Sequence, residues 1–306
     1  MIWLKRMGLF LVTNILVMVT VGIVWSLIST FLQMQGINSY IPLLMALSLV
    51  MGMGGAFVSL LISRWMAKRL YGVQVIIPQT ADPNLRRLVE KVHNFARHSN
   101  LRVMPEVGIY DSPDLNAFAT GPSKKRSMVA VSTGLLGKLS DSELDGVLAH
   151  EVSHIANGDM VTMTLIQGIV NAFAFFFSRI LANIIASNVD EKFRGVVHFM
   201  CVIIGDILFT FLGSFVVASF SRAREFRADA GGARLASRES MIGALRKLQA
   251  TLNRDQNSEE TGLGRDPLAS MKISSAPKSG GILALLMTHP PLEVRIQALQ
   301  KLSVQQ

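Results

Sequence analysis

Two histidines and a glutamate in the stretch "LAHEVSHIANGD" (148–159) have the residue types and spacing needed for metal-assisted hydrolysis. On a helix, residues four apart share one face, so His150 and His154 can offer two imidazole nitrogens to one ion. Zinc accepts histidine nitrogen and keeps one position open for water at catalytic sites. Glu151 would accept a proton from that water, as in other H-E-x-x-H centres. The alternative is a surface helix with two solvated histidines.

A third protein ligand is expected from the stretch "SRAREFRADAGGARLAS" (221–237). Glu225 and Asp229 are again four apart on a predicted helix. Glu225 could complete a His–His–Glu set for one zinc ion per chain. Asp229 could accept a hydrogen bond from the second ring nitrogen of His150 and so orient it. The alternative is a solvated helix face whose carboxylates pair with the neighbouring arginines.

The composition indicates that membrane segments accompany this site. Of the 306 residues, 50% are hydrophobic and only 17% are charged, with a mean hydropathy of +0.40. The net charge of +9 is then explained by basic residues on the cytoplasmic flanks of the spans. A nucleic-acid partner is not expected, because aromatic residues are not interleaved with the basic ones. The single cysteine excludes an intrachain disulfide and a thiolate metal site.

Two hydrophobic blocks should each form a pair of helices in the lipid bilayer. No Asp, Glu, Lys or Arg occurs between Met7 and Ser63, which predicts spans at about 8–30 and 41–63. Basic residues lie before the first span and after the second, so both ends should be cytoplasmic. The second block, from Met160 to Phe220, predicts helices at about 160–180 and 196–220.

The second block contains charges that need an explanation. Asp206 falls near the middle of one predicted helix, where a carboxylate is costly without a polar partner. Asn171 lies at a similar predicted depth, so we expect a protonated Asp206 to form a hydrogen bond with it. Arg179 is expected to extend its side chain to the interface.

The remaining stretches predict a mixed domain around the metal-binding helix. "PNLRRLVEKVHNFARHSN" (83–100) has apolar residues at helical spacing, and "VMPEVGIYD" and "SMVAVSTGLL" are typical of strands. Ser140 and Glu143 have capping-box spacing at the start of the metal-binding helix. Residues 256–281 lack an apolar period and predict a loop.

Several of these motifs together resemble one known family. They are HEVSHIANGD, the E-F-x-A-D of Glu225–Asp229, "NAFATG", "THPPLEVRI" and the four hydrophobic segments. They resemble the HtpX family of bacterial membrane zinc endopeptidases, which is related to the type I CAAX prenyl proteases. The resemblance covers nearly the whole chain. It implies a multi-pass protein of the bacterial cytoplasmic (inner) membrane with a cytosolic active site, acting in stress response and quality control, mainly on membrane proteins.

The resemblance also implies roles for individual residues. His150, His154 and Glu225 would bind zinc, and Glu151 would be the general base. An edge strand would pair with the substrate backbone; its residues are Asn116, Ala117, Phe118 and Ala119. His289 and Arg295 would lie near the reacting carbonyl. Alternatives remain for three of these: Asn116 as a turn residue, His289 as part of a helix start, and Arg295 as a solvated charge.

The expected fold is a predominantly α membrane protein with four hydrophobic helices and a cytoplasmic α+β zincin-like metalloprotease domain. Residues 1–69 would form the N-terminal transmembrane hairpin and 160–220 the second hydrophobic hairpin. The protease domain would consist of 70–159 and 221–306.

The expected activity is peptide-bond hydrolysis without an acyl-enzyme. Two rivals are a non-catalytic metal-binding adaptor or transporter, which would have no use for Glu151, and a hydrolase of lipid-modified substrates. The sequence leaves the oligomeric state open.

Overall fold

The computed structural model describes residues 40–258 and 286–302, together with isolated positions between 23 and 34. The first predicted span, 8–30, and most of the predicted loop 256–281 lie outside the described ranges. The described elements are α1 (Tyr40–Leu70), β1 (Gln74–Val75), α2 (Pro83–His98), β2 (Glu106–Tyr110), β3 (Ala117–Ser123), β4 (Arg126–Ser132), α3 (Thr133–Lys138), α4 (Asp141–Asn157), α5 (Asp159–Ser187), α6 (Glu191–Leu235), α7 (Arg238–Ser258) and α8 (Leu292–Lys301).

Two compact units make up the chain, and each is described by itself. The first comprises Met1–Leu60 and Thr162–Val217, and the second comprises Leu61–Val161 and Ala218–Gln306. In the described parts of the chain, α1, α5 and α6 are long and apolar enough to cross a membrane. The protein is therefore mostly helical, with three candidate membrane helices among these residues.

The helices of the second hydrophobic block are longer than predicted. The segments predicted at 160–180 and 196–220 lie inside α5, with 29 residues, and α6, with 45 residues. No proline occurs between Met160 and Leu235, so nothing in the backbone stops the helices where the apolar residues end. As a result, α6 continues from its apolar part into the stretch that contains Glu225.

Close contacts between backbones hold the helices of the first unit together. A Cβ atom built on Gly52 of α1 would lie 2.3 Å from the backbone nitrogen of Ala172 on α5. A Cβ atom built on Gly205 of α6 would lie 2.8 Å from Cβ of Ser178 on α5. Small residues at such crossings are what apolar helices use to pack closely.

The contact predicted between Asp206 and Asn171 is wrong. Asn171 instead accepts a hydrogen bond of 2.8 Å from Gln167, one turn earlier on the same helix. Asp206 accepts hydrogen bonds from the guanidinium of Arg179 and the hydroxyl of Ser178. The Arg179 guanidinium also lies 3.4 Å from the centre of the Phe175 ring. A cation offsets a carboxylate in an apolar segment better than an amide does, and Gly205 lets the two helices approach closely.

The second unit is built on a four-stranded sheet in the order β1-β2-β4-β3. The β2–β4 pair is parallel, and the β1–β2 and β3–β4 pairs are antiparallel, which leaves β3 at an edge. One face, which includes Ala117, Ala119, Val129 and Val131, packs in the main core together with α2 and α4. The other face belongs to a smaller cluster that includes Tyr110, Phe118, Met128 and Ala130.

Helix α4 is defined by its two caps and by burial. The predicted capping box is confirmed, because Ser140 and Glu143 exchange side-chain to backbone hydrogen bonds at the N-terminus. At the C-terminus, Gly158 adopts the left-handed conformation with φ 74°, which favours glycine. Every residue from Gly146 to Ile155 is buried, so the HEVSH stretch lies inside the unit.

We expect the ion pair in the first unit to stabilise the α5–α6 pair. Asp206→Leu should lower the heat stability of the detergent-solubilised protein and its membrane-inserted yield, because Arg179 is left without a counter-charge. Insertion scales give about 2.5–3.5 kcal/mol for one such charge. The double variant Arg179→Leu/Asp206→Leu should recover most of the loss. A single variant as stable as the unaltered protein, or a double variant no better than the single one, would contradict this.

Candidate metal centre

The three predicted metal ligands converge on one buried point. His150 and His154 lie one turn apart on α4, and Glu225 lies on the C-terminal part of α6. The two Nε2 atoms are 3.1 Å apart. Glu225 Oε1 is 3.4 Å from His154 Nε2, and Glu225 Oε2 is 3.5 Å from His150 Nε2. The ligands are 3%, 9% and 1% exposed in chain order, which excludes both a surface pair of histidines and a solvated carboxylate.

Glycines in α6 allow it to lie against the metal-binding helix. A Cβ atom built on Gly232 would lie 3.1 Å from the backbone nitrogen of His150, and one built on Gly231 would lie 2.5 Å from Ser153 Oγ. Larger side chains at these two positions would push the helices apart. The pair of glycines in "ADAGGARL" therefore brings Glu225 to the histidines.

The spacing of the donor atoms fits a tetrahedral metal ion. Two ligands bound to zinc at its usual distances, in a tetrahedron, lie roughly 3.3 Å apart. The three observed separations of 3.1, 3.4 and 3.5 Å are close to that value. In addition, both Glu225 oxygens are buried, and neither accepts a well-aligned hydrogen bond from the described part of the chain. A carboxylate buried in this way is costly unless a cation neutralises it.

Each histidine is held at its other ring nitrogen by a buried carboxylate. Asp229 Oδ1 lies 3.0 Å from His150 Nδ1 without an aligned hydrogen bond, so the predicted hydrogen bond stays a prediction, whereas Asp159 Oδ2 is hydrogen-bonded to His154 Nδ1 at 2.7 Å. Burial lowers the pKa of His150, but its contacts with Asp229 and Glu225 outweigh this and raise the value to about 9. Burial also lowers the pKa of His154, but the contacts with Asp159 and Glu225 outweigh this effect and raise it. Such contacts orient both Nε2 atoms towards a metal.

Asp159 is a site residue that the sequence analysis missed. It is 2% exposed and also lies 3.4 Å from Arg227 Nη2. A signal for it was present in the motif, because Asp159 directly follows Gly158. The left-handed conformation at that glycine ends α4, and the first residue of α5 lies beside His154.

Arg295 is a buried partner of the carboxylates and not a solvated charge. It is 0% exposed and donates two hydrogen bonds to Asp229, of 2.8 and 2.6 Å. Its Nη1 atom lies 3.5 Å from Glu225 Oε2. Burial alone would raise the pKa of Asp229. The opposite effect of Arg295 and His150 is larger and lowers the value to about 2.

His289 lies in the segment just before α8, and its Nδ1 atom is 3.0 Å from Glu225 Oε2. Arg222 of α6 donates a hydrogen bond of 2.9 Å to the carbonyl of Met287 and so ties this segment to the helix that contains Glu225. Burial raises the pKa of Glu225, but the nearby imidazoles of His150, His154 and His289 hold it well below its usual range. The predicted approach of His289 and Arg295 to a reacting carbonyl stays a prediction.

Glu151 is buried next to the ligands and beside the edge strand. It is 4% exposed, and the backbone of Ala119 lies close enough to its carboxyl group to influence its pKa. Burial raises the pKa of Glu151, while His150, His154 and the Ala119 backbone oppose the rise. A carboxyl group with a raised pKa is suited to accept and return a proton near neutral pH.

Among the described residues, β3 has a strand neighbour on one side only, and its other side lies beside Glu151. Ser132 donates a hydrogen bond of 3.0 Å to the carbonyl of Asn116, which fixes the alternation of the β3–β4 ladder. By that alternation, Phe118 pairs with β4 while the backbone groups of Ala117 and Ala119 point to the free edge. Asn116 precedes the strand and is 6% exposed, and its Oδ1 atom has no hydrogen-bond partner in the described ranges.

Comparison with known proteins gives a consistent result. Residues 79–303 match peptidase family M48. "Protease HtpX homolog" from Bacillus subtilis (strain 168) is 48% identical over 97% of this chain and 99% of its own length. "Protease HtpX" from Aeromonas hydrophila is 47% identical over 97% of this chain and 100% of its own length. The crystal structure of S. mikatae Ste24p has a TM-score of 0.59 at 18% identity, covering 97% of this chain and 66% of that one, which shows a likeness of fold alone.

The matched range contains Glu151, all three candidate ligands and the carboxylates that hold the histidines. The predicted resemblance to HtpX is confirmed, and a metal is what the family implies. With three long apolar helices in the part of the chain that the structure describes, the chain therefore belongs to peptidase family M48 as a membrane metalloprotease of the HtpX type.

Proposed function

We propose that the protein is a zinc-dependent endopeptidase of the bacterial cytoplasmic membrane with its active site on the cytosolic side. One observation carries the proposal: three buried ligand atoms at tetrahedral spacing lie beside a buried glutamate, which in turn touches a free strand edge. The cytosolic side is inferred from basic residues, including Lys68 and Arg69, at the end of α1.

The chain's own residues divide the chemistry between them. His150, His154 and Glu225 would hold zinc, which when bound supplies a Lewis acid that polarises a carbonyl and makes water more acidic. Glu151 accepts the proton of the attacking water and later delivers it to the leaving amine. Asp159 and Asp229 keep the imidazoles oriented during this exchange.

Arg295 would act as a positioning residue. Its two hydrogen bonds keep Asp229 ionised and fixed, and Asp229 in turn faces His150. The resemblance further suggests that His289 and Arg295 lie near the reacting carbonyl; of the two, His289 is the less buried.

The substrates are proposed to be proteins, mainly membrane or misfolded ones, as in quality control. An unfolded segment can add to the edge of β3 as an extra strand, using hydrogen bonds that do not depend on side chains. This gives broad selectivity, which suits the removal of damaged proteins. A non-catalytic adaptor or transporter is disfavoured, because a structural site has no use for the buried Glu151.

Replacing the proton acceptor should separate chemistry from metal binding. We expect Glu151→Gln to keep its zinc and its fold while cleavage of a model membrane protein falls about 10²–10⁴-fold. Metal analysis of the purified protein and mass spectrometry of the products, with and without a chelator, measure the two effects. Near-normal cleavage by the zinc-loaded variant would rule out this mechanism.

Among substitutions around the histidines, the loss of zinc affinity should be larger for a ligand than for a residue that only contacts a ligand. Asp159→Ala should weaken zinc binding about 10–100-fold, as loss of a hydrogen-bonded partner of a ligand does. Glu225→Ala should weaken it more, because a ligand is lost. Asp145→Ala is the control, since this α4 carboxylate pairs with Lys91 and not with a histidine. Equal zinc affinity of the Asp159 and Asp145 variants would remove Asp159 from the site.

Pairing of the substrate with β3 should give an alternating response to backbone methylation. In a cleavable peptide, N-methylation of the residues whose N–H faces β3 should lower kcat/KM about tenfold or more, since a hydrogen bond is lost and a methyl group blocks the approach. Methylation of the intervening residues should have little effect. The Glu151→Gln protein serves as the blank for contaminating proteases. A response without a two-residue period would contradict strand addition.

A further inference from the structure

A small aromatic cluster lies on the sheet face opposite the metal-binding helix, and the proposed chemistry does not use it. The ring of Phe118 is 5.2 Å from that of Tyr71 and 5.7 Å from that of Tyr110, measured between centroids. Tyr110 is buried, and its hydroxyl donates a hydrogen bond of 3.4 Å to the carbonyl of Asn116. Tyr71 and Phe118 are only partly buried, and Phe118 lies on the edge strand β3.

The register of β3 determines which substrate residue meets this surface. Phe118 turns its backbone groups to β4, so a residue opposite it on an added strand forms a pair without mutual hydrogen bonds. In such pairs the side chains share one face, with Cβ atoms about 4.5–5.5 Å apart. The substrate side chain opposite Phe118 therefore lies next to the Phe118 ring, whose other side contacts Tyr71, whichever direction the added strand runs.

The neighbouring substrate residues are directed to the other face. The residues opposite Ala117 and Ala119 point, like those alanines, to the side of α4 and Glu151. Since Ala119 touches Glu151, the residue opposite Phe118 lies about one or two positions from the bond that is cleaved.

We propose that Phe118 and Tyr71 form a subsite that selects a large apolar or aromatic side chain at one fixed position near the cleaved bond. The neighbours of the rings support an apolar occupant, because the other cluster members are Ala67, Val73, Tyr110, Met128 and Ala130. This inference rests on the proposed function and adds selectivity to it. Segments of misfolded membrane proteins are rich in such side chains, whereas charged linkers would be spared.

Two matched peptides test the subsite with the zinc-loaded full-length protein. They differ only at the position opposite Phe118, located by the methylation pattern, where one has Phe and the other Lys. The selectivity, which is the ratio of the two kcat/KM values, should favour the Phe peptide on the order of tenfold or more. Phe118→Ala and Tyr71→Ala should each reduce this ratio several-fold, and Phe118→Leu should retain most of it.

Ile77→Ala is the matched control, because this apolar residue of the same unit is 69% exposed and lies outside the cluster. It should leave the ratio unchanged. A ratio near one for the unaltered protein, or an unchanged ratio in both alanine variants that still cleave, would overturn the subsite while leaving the protease proposal intact. Cleavage that persists in Glu151→Gln or with a chelator, or is missing altogether, would overturn both. If Phe118→Ala does not fold, the Tyr71→Ala and Phe118→Leu ratios decide.

Discussion

The site depends on the close packing of the C-terminal part of α6 against α4. Gly231 and Gly232 let the two backbones approach, and Glu225 and Asp229 are brought to the histidines by the same contact. Because Glu225 and Asp229 lie one turn apart on the same rigid helix, the metal ligand and the carboxylate next to His150 keep a fixed separation. A side chain added at either glycine would change ligand distances and histidine orientation together.

This packing concentrates negative charge in the interior. Glu151, Asp159, Glu225 and Asp229 are all at most 4% exposed, whereas Arg295 is the one arginine buried to that extent in the described ranges. Arg224 and Arg227 also contact these carboxylates but are partly exposed, so solvent screens them. Carboxylates that outnumber the buried cations destabilise a protein unless another positive charge is present. Without a metal, protonated His150, whose pKa is raised to about 9, supplies part of that charge. A divalent ion at the ligand trio supplies more of it, so metal binding should stabilise the unit as well as serve catalysis.

Much of the site could be predicted, since its signals are local. Helical geometry within a few residues accounts for three of these signals. They are the i, i+4 spacing of the histidines, the Glu225–Asp229 pair and the capping box at Ser140. The partners of Asp206 and Arg295 could not be predicted in the same way, because they depend on contacts between helices distant in sequence. Asp159 falls between these cases: its position follows from the turn at Gly158, but its contact with His154 requires the direction that α5 takes.

In the proposed function, the edge strand would connect substrate binding with proton transfer through one residue. The backbone of Ala119 lies close to Glu151, and the backbone groups of Ala117 and Ala119 that face away from β4 are placed to pair with an added strand. A substrate that pairs in this register has its backbone fixed relative to the proton acceptor before any side chain is recognised. Phe118, between these two alanines, faces the opposite side of the sheet. Backbone pairing, proton transfer and side-chain selection can therefore be set by three consecutive residues of β3.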